Sequence, residues 1–454
     1  MSKASMPVSG LGQDRSSRSK FDACTILPIL ACLFATVVAP VILFVTVPVT
    51  STLQTIMESR WDTRIFWPLM AVISLILVVR HLDRLRKLTW PPHIICLFVY
   101  LAFAGLSVGW AFKPELSVIR YLQQVMVQAA IILPAMLAVR RSDMMYGVFL
   151  CYALGAILNV FFVINNDPSR VYLLNGYPGY FMGKNYLGEF AAVVFILALH
   201  EAVHRGFRRV FGIIVVMIAV WLLVMANSKT ALGLAFVVPC LAGIFLVVAR
   251  TTRISPAILI MSIPVCYAVL ASITGFNMNR LSYMLYGDPT FTGRTIIWDF
   301  ANYEISRRPL IGWGYQSFWL VGPDAPSIVD APGFVKAMPN AHNGYKDTML
   351  ELGYVGLALL LTFITATLHA IGRVAKRDLT RAWLLLSLAL YVIIYNFLES
   401  LWMRGFEVLW VLFLIVAVEA ARYWQPSPSA KASYGSRAPS PGNRAPARGA
   451  LRPR

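Results

Sequence analysis

The 454-residue sequence is short of charged residues, and this scarcity excludes a soluble protein of ordinary composition. Charged side chains make up 13% of the chain and hydrophobic ones 58%. In soluble domains about 25% of the residues are charged and about 45–50% are apolar. The mean hydropathy is correspondingly high, at +0.67. This composition is typical of a chain that crosses a membrane several times.

The sequence also lacks the motifs of common cofactor sites. Its six cysteines lie in apolar runs and form no CxxC pair, which argues against a disulfide framework and against a thiolate metal site. It contains no Walker loop and no GxGxxG motif. We also find no cluster of His, Cys, Asp and Glu at metal-ligand spacing. The sequence therefore predicts no cofactor, no metal and no nucleotide chemistry.

Acidic residues are few relative to basic ones. The chain has 21 Asp and Glu against 40 Lys and Arg, which gives a formal net charge of +19. In a soluble protein such an excess would suggest nucleic-acid binding. In a membrane protein it is explained first by the positive-inside rule, which collects basic residues in cytoplasmic loops. We therefore expect no nucleic-acid partner.

Long apolar runs are abundant, and they predict an all-α membrane protein with about twelve transmembrane helices. We divide the chain into a basic cytoplasmic tail (1–22), a polytopic membrane domain (23–424) and a basic cytoplasmic tail (425–454) whose Pro, Ser and Gly content predicts disorder. The predicted spans are residues 24–47, 64–80, 94–112, 118–139, 144–164, 186–200, 210–226, 231–249, 256–275, 348–370, 382–398 and 405–421.

The distribution of basic residues predicts the orientation of these spans. Every second loop is basic, as after the second predicted span (80–87) and after the tenth (373–381). The positive-inside rule then places both termini in the cytoplasm.

One loop on the outer side is unusually long. Residues 276–346 separate the ninth and tenth predicted spans, and loops of this length are usually functional. Within it, "GRTIIWDFANYEISRRPLIGWGYQSFW" predicts an amphipathic helix with Ile297, Ala301 and Ile305 on one face and Pro309 at its end. A helix of this kind suits the boundary between membrane and water.

Basic residues on the outer side need a separate explanation, because the positive-inside rule disfavours them there. Lys229, in the short hairpin "ANSKTALG", either binds an anion or extends to water at the membrane boundary. Lys184 has a similar position between Gly183 and Gly188. Further cations on this side that could bind an anionic substrate are Arg294, Arg307 and Arg308.

His342 is the one histidine that the topology places on the outer side. An imidazole can accept a proton at neutral pH, and nearby guanidinium and ammonium groups can hold a phosphate. Together they suit a reaction in which a hydroxyl is deprotonated and a phosphate-bearing group leaves. A purely structural role at the membrane edge is the alternative. The other five histidines lie in or beside predicted cytoplasmic loops: His81, His93, His200, His204 and His369.

Glu351 has two possible roles. It lies one helical turn from Asp347 on the same face, so that it could contact substrate. The sequence from Thr348 to Glu351 also matches a capping box, which would give Glu351 a structural role at the start of a helix.

Four motifs in the second half of the chain resemble, in order and topology, the membrane family of O-antigen ligases and exopolysaccharide polymerases. They are "GYFMGKNYLGEF", "NSKTALGLAF", the long loop segment quoted above and "NAHNGYKDTMLELGYVG", and the resemblance covers about Gly176 to Leu360. The "GKN" form and "PLIGWGYQSFW" are closer to the polymerases than to the ligases. The family resemblance implies a multi-pass protein of the bacterial inner membrane.

The resemblance also implies a reaction. On the periplasmic face, and without a metal, a glycan would pass from undecaprenyl diphosphate to a hydroxyl of an acceptor glycan, with inversion at the anomeric carbon. Membrane lipids and a flippase or chain-length regulator protein are the implied partners.

The resemblance assigns roles to individual residues. His342 falls on the family's histidine and would be the general base or would orient the acceptor hydroxyl, with Asn343 beside it. Arg294 would hold the diphosphate. Lys229 stands where the family commonly has arginine, and lysine lacks the planar fork for a bidentate contact. Candidate substrate-binding residues are Lys184, Asn185, Asn343, Arg307, Arg308 and Glu351.

Two other functions remain open at the level of sequence. A ligase that joins glycan to lipid A core would use the same motifs. A secondary transporter is the alternative from a different class, since twelve spans are common among transporters. Transporters, however, usually carry polar residues at mid-membrane and lack so long an outer loop.

Overall fold

The computed structural model describes residues 22–47, 60–138, 143–275, 283, 293–405 and 407–424, and in these ranges it is helical, with no β-strand. The predicted basic tail 1–22, apart from its last residue, the tail 425–454 and most of 276–292 lie outside the described residues. Thirteen main helices are described: α1 (Ala23–Thr46), α2 (Trp61–Arg80), α3 (Pro92–Leu106), α4 (Pro114–Leu137), α5 (Met144–Ile164), α6 (Lys184–Ala202), α7 (Phe207–Ala226), α8 (Lys229–Thr252), α9 (Pro256–Thr274), α10 (Arg294–Arg307), α11 (Gly344–Val374), α12 (Leu379–Tyr395) and α13 (Val408–Arg422).

Every predicted span corresponds to one of these helices, which confirms a polytopic all-α membrane protein. Ten of the described helices are long and apolar enough to cross a membrane. The other two predicted spans form α12, of 17 residues, and α13, of 15 residues. At 1.5 Å per residue α13 is about 23 Å long, shorter than a hydrocarbon core of about 30 Å. Both helices are almost wholly buried by their neighbours, as Leu385 and Trp410 show.

The amphipathic helix of the long loop is confirmed as α10. It ends at Arg307, two residues before Pro309, and Ile297, Ala301 and Ile305 are buried as predicted. These side chains pack on an aromatic cluster within the loop itself, however, and so they do not face the membrane boundary. The cluster also contains Trp313, Phe318, Trp319, Val335 and Leu350.

Helix α11 is broken at Gly353, and the loop docks into the break. Gly353 has a left-handed φ of 66°, so the carbonyls of Leu350 and Glu351 lose their helical donors. The N–H groups of Trp313 and Gly314 donate to these two carbonyls over 2.8 and 2.9 Å. A Cβ on Gly353 would lie 2.2 Å from the carbonyl carbon of Leu310. Glycine is therefore required for both the conformation and the close approach.

Two further hydrogen bonds hold the loop segment in the break of α11. The N–H of Tyr354 donates to the carbonyl of Pro309 over 2.8 Å, and that of Val355 donates to Leu310 over 3.2 Å. Two motifs that are forty residues apart in the sequence, "PLIGWG" and "ELGYV", thus form one unit. This unit fixes the loop over one end of the helix bundle.

We call the end of the bundle that carries residues 293–343 the loop face, and the end that carries Asp143 and His200 the opposite face. At the opposite face, Asp143 accepts hydrogen bonds from Arg208 over 3.1 Å and from Arg381 over 2.9 Å. Burial disfavours the charged form of Asp143, but the two arginines outweigh it, so the pKa of this carboxyl is lowered.

Candidate active site

His342 lies in the turn that leads into α11, on the loop face. Its φ is 47°, in the left-handed region that non-glycine residues rarely adopt. The turn is held by Asn340, whose side chain accepts a hydrogen bond from the His342 N–H over 2.9 Å. Such conformations persist where the surrounding structure enforces them, and they are common at functional sites.

Asn343 caps α11 directly after this histidine. Its Oδ1 accepts hydrogen bonds from the N–H groups of Tyr345 and Lys346, each over 3.1 Å. Its own N–H donates to the hydroxyl of Ser400 over 3.0 Å. We predicted from the sequence that Asn343 contacts substrate. In the structure its hydrogen bonds fix the position of its neighbour His342.

Glu399 joins His342 to Arg294. It lies in the loop after α12, and its Oε2 is 2.9 Å from Nδ1 of His342. Its Oε1 accepts a hydrogen bond from the Arg294 guanidinium over 3.0 Å. All three side chains are partly exposed, between 21% and 30%. Two residues predicted from distant motifs are thus brought together by a third.

This arrangement determines the chemistry available to His342. A carboxylate can only accept hydrogen bonds, so Nδ1 of the neutral imidazole carries the hydrogen and donates it to Glu399. Nε2 then carries the lone pair. A histidine oriented in this way can take a proton from a hydroxyl at its Nε2 side, while the carboxylate stabilises the imidazolium that forms.

Glu399 itself was missed in the sequence. It follows "YNFL" at the end of the eleventh predicted span, in a short loop that the charge pattern places on the same side as His342. A census of acidic residues on that side, like the one made for histidines and cations, would have included it.

Lys184 and Lys229 lie near each other at the starts of α6 and α8. The Lys184 ammonium donates to the carbonyl of Asn175 over 2.9 Å and lies 3.5 Å from that of Asn227. Asn227 is two residues before Lys229, which is exposed and makes no ion pair within the described residues. Among the described residues, neither lysine forms an ion pair with Glu399.

The first turns of α6 link the two sets of residues. Asn185 and Tyr186 are exposed, and Tyr186 and Glu189 lie close enough to Glu399 to interact with it electrostatically. Glu407, which precedes α13, belongs to the same group of charges. Burial raises the pKa of Glu407 to about 7, although Arg404 favours its charged form.

Glu351 is buried and forms an ion pair. The Arg404 guanidinium donates to Glu351 over 2.6 Å and lies 3.6 Å from Asp347. The prediction that Asp347 and Glu351 share a face is confirmed, because they reach the same arginine. The capping box was wrong: α11 begins at Gly344 with Asn343 as its cap, and the Thr348 hydroxyl donates within the helix to the Gly344 carbonyl.

Arg307 and Arg308 contact other residues of the long loop. The Arg307 guanidinium donates to Asp330 over 2.7 Å and to Glu304 over 3.2 Å. The Arg308 guanidinium lies 4.1 Å from the ring centroid of Trp313. These contacts stabilise the loop by ion pairing and by cation–π attraction.

The expectation that no residues have metal-ligand spacing was wrong for one cluster. His200, Glu201 and His204 have ligand atoms within 4.8 Å of one another at the opposite face. Both oxygens of Glu201 are engaged there, one with Nδ1 of His200 over 3.0 Å and the other with Arg208 over 2.6 Å.

The fold and the site therefore define a polytopic membrane protein with a histidine, a carboxylate and an arginine on its loop face. Residues 186–361 match the family model described as O-antigen ligase, which confirms the resemblance drawn from the motifs. The matched segment includes His342, Arg294 and Lys229; it excludes Lys184, Asn185 and Glu399.

Two curated relatives agree with this match. An exopolysaccharide production protein, ExoQ, of Rhizobium meliloti (strain 1021) is 26% identical over 308 residues, which cover 62% of this chain and 66% of the relative. A "Putative polysaccharide ligase" of Rickettsia prowazekii (strain Madrid E) is 27% identical over 132 residues, which cover 28% of this chain and 32% of the relative. The chain thus spans just under two thirds of the first relative and about a third of the second. The comparisons support a function of the polysaccharide ligase or polymerase type.

Proposed function

We propose that this protein is a polysaccharide polymerase of the bacterial inner membrane. It transfers a glycan from a lipid diphosphate, of the undecaprenyl type, to a hydroxyl of an acceptor glycan. In this proposal the loop face is periplasmic and both termini are cytoplasmic. The observation that carries the proposal is the contact of Glu399 with His342 on one side and with Arg294 on the other.

The proposed reaction is a single displacement at the anomeric carbon. Nε2 of His342 accepts the proton of the acceptor hydroxyl as its oxygen bonds to that carbon. The bond from the carbon to the diphosphate oxygen breaks, and the lipid diphosphate leaves with the electron pair. Attack from the side opposite to the leaving group inverts the configuration. The proton then passes from the imidazolium to solvent.

The cations have the task of holding the diphosphate. Arg294 is next to the proposed base, so it can stabilise negative charge as the leaving group departs. Lys229 and Lys184, at the starts of two neighbouring helices, can bind the phosphates in the ground state. Because each side chain supplies the positive charge itself, the proposed reaction needs no metal.

The polymerase hypothesis is supported by the exopolysaccharide relative and by the motifs "GKN" and "PLIGWGYQSFW" in this sequence. The match to the O-antigen ligase model favours a second candidate, a ligase that transfers glycan to lipid A core. A flippase or chain-length regulator protein would be a partner of the polymerase in the membrane.

The test uses His342→Ala in cells and in reconstituted vesicles. Loss of the base should lower the transfer rate by about 10²- to 10⁴-fold, so polymer disappears while protein level and lipid-linked repeat units remain. Activity of the unaltered protein should persist in EDTA. Polymer of normal length from His342→Ala would contradict the proposal, and solute uptake by vesicles without a lipid-linked donor would indicate a transporter instead.

A further inference from the structure

Helix α6 buries a carboxyl that the proposed reaction does not use. Glu189 lies in the second turn of this helix and is 6% exposed. Its side chain makes no hydrogen bond and no ion pair within the described residues. Burial of an unpaired carboxyl costs free energy, so an acidic residue of this kind inside a membrane protein is a candidate for function.

The carboxyl of Glu189 remains open to a ligand. Some unpaired polar atoms of the protein are closed off from the surface, as the Tyr391 hydroxyl is, but neither oxygen of Glu189 is among them. Tyr391 and Tyr395 of α12 lie near enough to interact electrostatically with Glu189, yet neither hydroxyl donates to it. A bound ligand can therefore supply the hydrogen-bond donor that Glu189 lacks.

Glu189 lies beside the proposed active site. It interacts electrostatically with Glu399, which contacts His342, and with Glu407, which precedes α13. The side chain of Glu407 also has no hydrogen bond and no ion pair in the described part of the chain. Tyr186 lies one turn before Glu189 on the same face of α6, and it interacts electrostatically with all three carboxyls. These residues thus form one group at the loop face.

The exposure of this group shows that it lines a recess. Tyr186 is 50% exposed, and Glu407 is also partly exposed. Protein nevertheless surrounds both side chains, and burial raises the pKa of Glu407 to about 7. Side chains that are accessible and yet surrounded by protein form the wall of a cleft. We call Tyr186, Glu189 and Glu407 the carboxyl cleft.

The chemistry of the carboxyl cleft suits a sugar. Carboxyl oxygens accept hydrogen bonds from sugar hydroxyls, and such bonds are strong when the carboxyl is ionised. The exposed ring of Tyr186 offers an apolar surface to the C–H groups of a sugar ring. Within the described residues, only the His200 cluster brings three metal-ligand atoms within 4.8 Å of one another. The carboxyls of the cleft therefore fit a ligand with several separated donors better than they fit an ion.

Charge and position favour the acceptor over the donor as the occupant. The diphosphate of the donor needs cations, which Arg294, Lys184 and Lys229 supply, and the unpaired carboxyls would repel it. The acceptor hydroxyl must reach Nε2 of His342, whose partner Glu399 lies next to the cleft. The sugar that carries this hydroxyl is thus the part of the substrates that the cleft suits.

We propose that the carboxyl cleft binds the acceptor sugar and selects an uncharged sugar over a uronic acid. Hydroxyls of this sugar donate to Glu189 and Glu407, and its ring packs on Tyr186. A uronate would bring a further negative charge beside the carboxyls, which disfavours its binding. The inference rests on the proposed function, because it takes the transfer reaction at His342 as its starting point, and it adds the specificity for the acceptor.

The first test measures kcat and the KM of each substrate for Glu189→Gln, in which the side chain keeps its shape and loses its charge. We expect the KM of the acceptor oligosaccharide to rise about tenfold, with kcat and the KM of the lipid-linked donor within about twofold. Glu201→Gln, on the same helix at the opposite face, is the matched control and should leave both KM values unchanged. An unchanged acceptor KM in Glu189→Gln would overturn the proposal.

The second test compares two acceptors. One is an oligosaccharide released from the polysaccharide of the same cells, and the other is that oligosaccharide with its primary hydroxyls oxidised to carboxylates. The unaltered protein should use the uncharged acceptor with a kcat/KM at least about tenfold higher, and Glu189→Gln should reduce this preference to about threefold. Equal use of the two acceptors by the unaltered protein would overturn the proposed selectivity.

The third test concerns the ring of Tyr186. Tyr186→Phe keeps the ring and should keep the acceptor KM, whereas Tyr186→Ala should raise this KM about fivefold. Tyr172, which is 90% exposed in the segment before α6, provides the control, because Tyr172→Ala should have no effect. Equal acceptor KM values for Tyr186→Ala and Tyr172→Ala would rule out the ring contact.

Crosslinking distinguishes a failure of this inference from a failure of the proposed function. An acceptor oligosaccharide with a photoreactive group on its terminal sugar should label the first two turns of α6 or Glu407, both in the unaltered protein and in His342→Ala, since binding needs no turnover. Labels confined to other segments would overturn the cleft even if transfer occurs. Labelled α6 together with normal transfer by His342→Ala would support the cleft and contradict the proposed function.

Discussion

The two ends of the helix bundle hold the same three kinds of side chain in the same order. At the loop face, Glu399 lies between His342 and Arg294, at 2.9 and 3.0 Å. At the opposite face, Glu201 lies between His200 and Arg208, at 3.0 and 2.6 Å. The difference is access: the His342 side chain is 30% exposed and that of His200 is 2% exposed.

We interpret this difference in access as the difference between the proposed active site and a structural arrangement. His200 lies in the last turn of a regular helix, and its carboxylate belongs to an ion-pair network that continues through Arg208 to Asp143 and Arg381. His342 lies in a left-handed turn, and the acidic Glu407 nearby has a pKa raised to about 7 by burial. Perturbed acidic groups beside an accessible base are typical of functional sites.

Substitution of the two arginines should give the largest contrast. Arg294→Ala should lower the transfer rate by about 10²-fold, because the charge that we propose to stabilise the leaving diphosphate is lost. Arg208→Ala should instead destabilise the fold by about 2 kcal/mol, since Glu201 and Asp143 each lose one of their two ion-pair partners and Arg208 is itself partly exposed. Single-turnover rates with a lipid-linked donor and thermal unfolding would measure the two effects. The comparison would be contradicted if, at equal amounts of folded protein, Arg208→Ala had a lower transfer rate than Arg294→Ala.

Lys229 tests how far the reactive site extends along the loop face. Lys229→Ala should lower the transfer rate about tenfold, because one charge-assisted contact to a phosphate is lost. Lys229→Arg should keep nearly full activity if only the charge is needed. The exposed Arg205 provides a control, since Arg205→Ala at the opposite face should have no effect. Equal activity of Lys229→Ala and the unaltered protein would confine the site to the residues around Glu399.

Glu407 should give the smallest effect, through the pH dependence of stability. A carboxyl whose pKa is raised on folding binds its proton more tightly in the folded state, so stability falls as pH rises from about 4.5 to about 7. Relative to Glu407→Gln, the unaltered protein should therefore lose thermal stability between pH 5 and pH 8. A constant difference in Tm across this range would show that Glu407 does not titrate there.

The sequence was sufficient for the features that depend on local patterns. Apolar runs located the ten helices that are long and apolar enough to cross a membrane, together with α12 and α13, and the spacing of Ile297, Ala301 and Ile305 located the buried face of α10. The distribution of histidines and the order of the motifs together selected His342 and Arg294 as candidate site residues. These features depend on hydrophobic periodicity and side-chain chemistry, which can be read along the chain.

The features that the sequence did not reveal are contacts between distant segments. The break at Gly353 depends on the approach of Leu310, and nothing in either segment alone indicates it. Glu399 is 57 residues from His342, and only the packing of α12 beside α11 brings the two together. The cap at Asn343 and the His200 cluster were overlooked for a different reason, because each was local and its spacing could have been recognised.

The exchange of both glutamates for glutamine tests the central claim most directly. Glu399→Gln keeps the shape of the side chain but can donate to Nδ1, so His342 no longer holds its lone pair reliably at Nε2. The account predicts that Glu399→Gln lowers the single-turnover transfer rate at least about 10²-fold with Tm nearly unchanged, whereas Glu201→Gln lowers Tm and leaves the rate of the folded protein intact. A Glu399→Gln protein that transfers glycan at the normal rate would contradict it.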